Sequence, residues 1–247
     1  GYADFADCGL VILAAGTNQR PGETREALLG RNRAILQSIL EQLTAVNRDA
    51  VLLVVSNPVD VLTGYTLELS GFPAERVIGS GTVLDTARIK CLLGEKLGVD
   101  SRNVHAFMLG EHGDSEVAVW SSANISGADL DDFCLAAGID DPESMLASLA
   151  REVTHAAYDI IERKGATCYG IAMAVRRIAE AIIRDEHAVL PVSTLARGAY
   201  GIEGVCLGLP AVVGRSGVSR VLDLPLSRDE TERLLASAHK LKTLMEG

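Results

Sequence analysis

GLVILAAGTNQRPGETREALLGRNRAILQSILEQLTAVNRDAVLLVVSNP, residues 9–58, changes its apolar rhythm twice. The run at 9–16 is short, apolar and ends in small residues, the pattern of a buried strand feeding a tight loop. TNQRPGETR at 17–25 is polar and broken by Pro21 and Gly22, so it reads as a mobile loop. From 24 to 46, Leu28, Ile35, Ile39, Leu43 and Val46 recur at helical spacing. AVLLVVSNP at 50–58 is a second buried strand, halted by Pro58. A helix then starts at Asp60, an N-cap by residue type, and ends near Gly71. RVIGSGT at 76–82 carries a third short strand. Strand, helix, strand, helix, strand is the rhythm of a parallel sheet with right-handed crossovers.

A second region begins near Ser80. Its first helix is expected at 85–97, and NVHAFMLGEHGDSEVAVW (103–120) reads as strands around a loop. Helices are expected at 142–163 and 168–184, antiparallel strands within 188–223, and a charged helix at the end. The fold expected is α/β: a partial Rossmann-type, doubly wound parallel sheet over 1–79, followed by an α+β region over 80–247. No repeat or flexible linker separates the two, so they should pack tightly around a cleft.

Composition narrows the function classes. Hydrophobic residues make up 48% and charged ones 23%, as in a water-soluble globular chain. Aromatics are only 4%, so the core must rest on aliphatic side chains, which suits buried parallel strands. The net charge of -10 with no basic stretch argues against nucleic acid as a partner. No apolar run approaches the ~20 residues of a membrane-spanning helix. The five cysteines are scattered, without a C-x-x-C pair, so neither a disulfide framework nor a metal site is indicated, and a reducing cytoplasm fits.

Two segments carry chemistry. LGEHGDS (109–115) sets His112 between the glycines Gly110 and Gly113 in a loop after an apolar strand, and a histidine suits proton transfer near neutral pH. LDTARIK (84–90) holds Asp85 and Arg88 at i, i+3, on one side of a helix near its start. Each taken singly has an ordinary structural reading: a hydrogen-bonded surface histidine, an N-cap aspartate in a surface ion pair.

Taken together with Arg25 and Asn57, these residues resemble the lactate and malate dehydrogenase family. AAGTNQRPGETR, VVSNPVDVLT, IGSGTVLDTARIK, NVHAFMLGEHGDS, KGATCYGIAMA and YGIEGVCLGLPAVVGR follow the family's segments in the family's order along the chain. The resemblance implies that 1–79 is the C-terminal part of a dinucleotide-binding domain and 80–247 a substrate and catalytic domain. The reaction it implies is reversible hydride transfer between NADH and a 2-oxo acid. In that role His112 exchanges the proton on the carbonyl oxygen, Asp85 orients and charges the imidazole, and Arg88 clamps the substrate carboxylate with two parallel bonds. Arg25 polarises the carbonyl when its loop closes, and Asn57 donates to the same oxygen. Gln19 stands where the family chooses its substrate, and glutamine there accepts the methyl of pyruvate rather than a second carboxylate. Thr167 borders the same pocket. The exchanged pair is therefore pyruvate and L-lactate; a malate dehydrogenase, or a catalytically silent scaffold of the same fold, are the alternatives.

The resemblance also places Tyr2, Gly16, Thr17, Ser38, Val55, Asn57, Ser80 and Ile171 around NAD. Lys90 and His105 match a fructose 1,6-bisphosphate site found between subunits of some relatives, although lysine lacks the fork of the more usual arginine. A homotetramer is implied, with roles in glycolysis and fermentation. A dinucleotide-binding half should open with G-x-G-x-x-G after a strand. GSG at 79–81, GATCYG and GIEG all lack that spacing, and the chain opens without Met. About 65–85 residues of the family's N-terminal part are therefore expected to be missing, and NADH binding by this polypeptide to be weak.

Overall fold

The computed structural model describes residues 1–17, 25–164 and 167–246. β1 (Leu10–Leu13), α1 (Arg25–Thr44), β2 (Val51–Val54), α2 (Val59–Ser70) and β3 (Val77–Gly79) form the expected alternation. β1 pairs with β2, and β2 with β3, in parallel. Every residue of β2 is buried, as a strand covered on both faces must be. Leu52 and Val54 face one core with α1 and α2, and Val51 and Leu53 face another, which is the two-residue period of a strand.

α1 buries Leu29, Leu36, Leu40 and Leu43. Of the stripe expected from spacing only Leu43 is among them; Val46 is exposed, and Leu28, Ile35 and Ile39 are half-buried. The apolar residues come as adjacent pairs, so the helix carries a broad apolar flank. Docking on the sheet decides which member of each pair goes in.

α3 (Val83–Leu97) leads to the second region, followed by β4 (Val104–Leu109), β5 (Val117–Ile125), β6 (Ala128–Asp129) and α4 (Leu130–Ala136). Next come α5 (Pro142–Lys164), α6 (Tyr169–Ile183), β7 (Ala188–Arg197), β8 (Glu203–Gly214), β9 (Gly217–Val221) and α7 (Arg228–Glu246). The two regions share one six-stranded sheet in the order β1-β2-β3-β7-β8-β9, while β4-β5-β6 form a small sheet of their own. The join is antiparallel, Gly79 against Ser193.

The glycines of GSG find their reason at this join. A Cβ on Gly79 would lie 2.3 Å from Thr63 Oγ1, and one on Gly81 2.3 Å from the Ser193 nitrogen. They permit close packing of β3 and the following turn on β7. α1, α2 and α7 cover one face of the large sheet, and α6 covers the other with Ala174, Ile178, Ala181 and Ile182. α3 and α5 pack with the small sheet around a separate core that includes Ile89, Met108 and Val153. No described helix is long and apolar enough to cross a membrane.

Candidate active site

The loop between β4 and β5 is pinned to two other elements, β8 and α2. Gly110 takes φ 92° and exchanges backbone hydrogen bonds of 2.9 and 2.8 Å with Gly208 of β8. The His112 backbone N–H donates to Asp60 Oδ2 at 2.7 Å. Asp60 thus does not cap α2 as its residue type suggested: the N-cap position is Pro58, and Asp60 lies in the first helical turn, 2% exposed. A carboxylate buried there needs a donor, and the loop N–H needs an acceptor. Burial pushes the Asp60 carboxyl up to about 6 against the opposing His112 N–H.

Asp85 is the third residue of α3, close to the positive end of the helix dipole. Its Oδ2 lies 2.6 Å from His112 Nδ1, and its Oδ1 accepts from Arg88 Nη1 at 3.2 Å. With a carboxylate as partner, Nδ1 carries the proton and Nε2 is left as the exchangeable nitrogen. Burial disfavours the charged imidazole. The hydrogen bond and charge of Asp85, aided by the charges of Asp60 and Glu116, outweigh it and lift His112 to about 9.

His112 lines a cleft of about 470 Å³ that also takes Thr17 and Asn57 from the first region and Asp114, Tyr158 and Lys240 from the second. Tyr158 Oη donates to Asp114 Oδ1 at 2.8 Å. Behind this wall Glu111 accepts from Lys240 Nζ at 2.5 Å and from the Ser115 hydroxyl, while its own N–H donates to Ser237 Oγ at 2.8 Å. The loop is therefore tied to α7 as well as to α2.

The structure brings Asp85, Arg88 and His112 together, with Asn57 along the same cleft. Arg88 is 18% exposed and runs beside Gly170, where a Cβ would lie 3.8 Å from Nη2. Thr167 is half-buried just ahead of α6. Gln19 lies outside the described residues, and so does the side chain of Arg25. Gly16 and Thr17 follow β1, Val55 and Asn57 follow β2, and Ser80 follows β3. They occupy the carboxyl ends of parallel strands, where open α/β sheets bind ligands. Thr17 is held there by Asn32, whose Oδ1 accepts from the Thr17 N–H at 2.8 Å. Thr17 and Asn57 line the His112 cleft, and Gly16, Val55 and Ser80 stand at the same strand ends, a surface that fits the nicotinamide side of a dinucleotide. Tyr2 packs against the first core, Ser38 is exposed on α1, and Ile171 packs against α6's core. Lys90 and His105 line one 350 Å³ cavity with Arg177, and burial pushes the Lys90 ammonium down.

Sequence reasoning missed three groups: Asp60 in its actual role, the Glu111–Lys240 pair and Glu116. Their only signal was a charged residue within or beside an apolar run, as in NPVDVL and SEVAVW.

A crevice at the carboxyl ends of parallel strands, with a carboxylate-held imidazole beside it, suits a nicotinamide-dependent dehydrogenase. Comparison with known proteins narrows that class. The family model described as the lactate/malate dehydrogenase NAD binding domain matches residues 1–79, and that of the alpha/beta C-terminal domain matches 82–247. An L-lactate dehydrogenase of Clostridium perfringens is 50% identical over 241 residues, 98% of this chain and 76% of the relative. One from Streptococcus gordonii is 52% identical over 245 residues, 99% of this chain and 74% of the relative. The crystal structure of the minor L-lactate dehydrogenase of Enterococcus mundtii superposes with TM-score 0.95 at 43% identity, covering 100% of this chain and 78% of that one. The chain belongs to the lactate/malate dehydrogenase family, and NAD is its cofactor.

Proposed function

We propose that this chain acts as an L-lactate dehydrogenase, interconverting pyruvate and L-lactate, with His112 as the proton-exchanging group. The observation that carries the assignment of roles is the 2.6 Å contact between His112 Nδ1 and an Asp85 carboxylate that also holds Arg88. NADH, when bound, supplies the hydride that reduces the carbonyl carbon. The His112 imidazolium gives its Nε2 proton to the substrate's keto oxygen, which becomes the hydroxyl of lactate. In reverse, the neutral imidazole removes that proton. Asp85 keeps Nδ1 protonated throughout and holds the ring at one angle. Arg88 binds the substrate carboxylate, its guanidinium steadied by Asp85 Oδ1. Asn57 donates to the keto oxygen from the cleft wall. Arg25 acts on the carbonyl and Gln19 on the methyl side of pyruvate, and Thr167 borders that pocket.

The assembly is a homotetramer, a reading supported by apolar side chains exposed on α5 and α6, among them Ile161, Tyr169 and Met173. Lys90, His105 and Arg177 are a fructose 1,6-bisphosphate site, supported by three basic side chains around one cavity. The enzyme works in the cytoplasm, in glycolysis and fermentation, a reading consistent with five unpaired cysteines. NADH oxidation measured with pyruvate and with oxaloacetate tests the function. Pyruvate is expected to be the better substrate by kcat/KM, with Gln19→Arg reversing the preference and His112→Asn abolishing turnover. A preference for oxaloacetate by the unaltered enzyme makes it a malate dehydrogenase, and no turnover with either makes it a silent scaffold.

A further inference from the structure

A second carboxyl group stands beside the histidine pair, and no step of the reaction above passes through it. Glu116 immediately precedes β5 and is 6% exposed. A carboxylate oxygen of Glu116, one of Asp85 and a ring nitrogen of His112 all lie within 4.8 Å of one another. Its Oε1 accepts from Thr154 Oγ1 of α5 at 2.9 Å. The same residue is in the wall of a cavity of about 680 Å³ that meets the substrate cleft at Asp114 and is bounded by β4, β5, α4, α5 and α7.

We propose that Glu116 is a positioning residue for the proton transfer: a second carboxyl coupled to the His112–Asp85 pair, whose own proton, exchanged through the cavity behind β5, sets how firmly the imidazole holds the proton it donates. The proposal rests on the reading of His112 as the proton-exchanging group. Two carboxylates this close cannot both ionise without cost. Arg88 and the imidazolium offset part of the repulsion, and Thr154 favours the ionised form. Burial and the neighbouring Asp85 charge prevail, pushing Glu116 up to about 8. Other charged groups facing the same cavity are Asp114 from the histidine loop, Asp131 of α4, Glu143, Arg151 and His155 of α5, and Arg233 of α7. Their signs are mixed, so the cavity imposes no strong field of its own. When Glu116 ionises, its charge adds to that of Asp85 and holds the imidazolium to higher pH. Proton donation in pyruvate reduction is thereby extended into the alkaline range.

The test reads protonation directly and does not depend on turnover, so it can fail while the dehydrogenase assignment stands. The His112 imidazole is titrated by NMR in the unaltered protein and in Glu116→Gln, which keeps the volume and an acceptor for Thr154 but cannot ionise. The His112 midpoint is expected to fall by about one pH unit, and the alkaline limb of kcat/KM for pyruvate to follow it. Superimposable His112 titrations overturn the proposal. Should Glu116→Gln fail to fold, the unaltered protein still decides through its Glu116 carboxyl carbon. A carboxyl that titrates together with His112 supports the coupling, and one ionised throughout from pH 5 upward refutes it. Thr154→Val, which removes the donor that favours the ionised form, is expected to move the His112 midpoint downward as well; no movement counts against the proposal.

Discussion

Replacing Asp85 by asparagine keeps the side chain's volume and removes the charge on which His112 depends. In the structure His112 rises from 6.5 to about 9 despite being desolvated. That shift is worth about 3 kcal/mol of preference for the imidazolium. Asp85 supplies the hydrogen bond and the largest favourable charge, while Asp60 and Glu116 contribute less. Most of the shift should therefore go with it, leaving the imidazole near its ordinary range. If the midpoint drops by about two pH units, the protonated fraction at pH 8 falls from about nine-tenths to about one-tenth. Pyruvate reduction at pH 8 should lose about tenfold for this reason alone, and near pH 6 much less. The assay is kcat/KM for pyruvate from pH 5.5 to 10, beside an NMR titration of His112. The linkage has a definite sign. Because the folded value exceeds the unfolded one, the histidine's charge stabilises the fold fully below about pH 6.5, and that contribution is lost as pH rises through about 9. The unfolding free energy of the unaltered protein should thus fall more steeply across that window than that of Asp85→Asn. An alkaline limb that stays in place, with an equal loss at every pH, would refute the electrostatic account and leave Asp85 a purely steric support.

Lys240→Met removes the cation held against Glu111, which is 5% exposed, while the Ser115 hydroxyl still donates to the carboxylate. A loss of about 1–3 kcal/mol is expected by chemical denaturation; an unchanged midpoint would show that Ser115 suffices. Lys90→Gln should abolish any lowering of the pyruvate KM by fructose 1,6-bisphosphate while leaving the rate at saturating pyruvate intact. An identical response in the variant removes Lys90 from that site.

Much of the fold was legible because parallel α/β architecture writes itself as alternating periods. LVIL, VLLV and the VIG of RVIGSG form strands as read, and Gly71 ends α2 with φ 64° as a C-terminal glycine should. VLLV and VIG are buried, whereas LVIL, expected to be buried too, lies at the sheet edge and leaves Ile12 exposed. His112, Asp85 and Arg88 were legible as chemistry through residue type and the order of the segments around them. What periodicity could not fix was which half of a broad apolar flank turns inward. On α1 Leu36 and Leu40 are buried while Ile35 and Ile39 are only partly so, because the sheet rather than the helix selects the face.

Sequence by itself thus determined the local states: strands from run length and small-residue endings, helices from spacing, and the candidate acid, base and clamp from side-chain chemistry. Only the tertiary structure decided which charges meet. Asp60, read along the chain as a helix cap, turns out to hold the histidine loop from 52 residues away. Glu116 stands within 4.8 Å of Asp85 and His112 because β5 and α3 pack on one core. The physical reason is range: dihedral preference and amphipathic period act over a few residues, whereas desolvation and Coulomb coupling act over ångströms of space between groups that folding alone brings together.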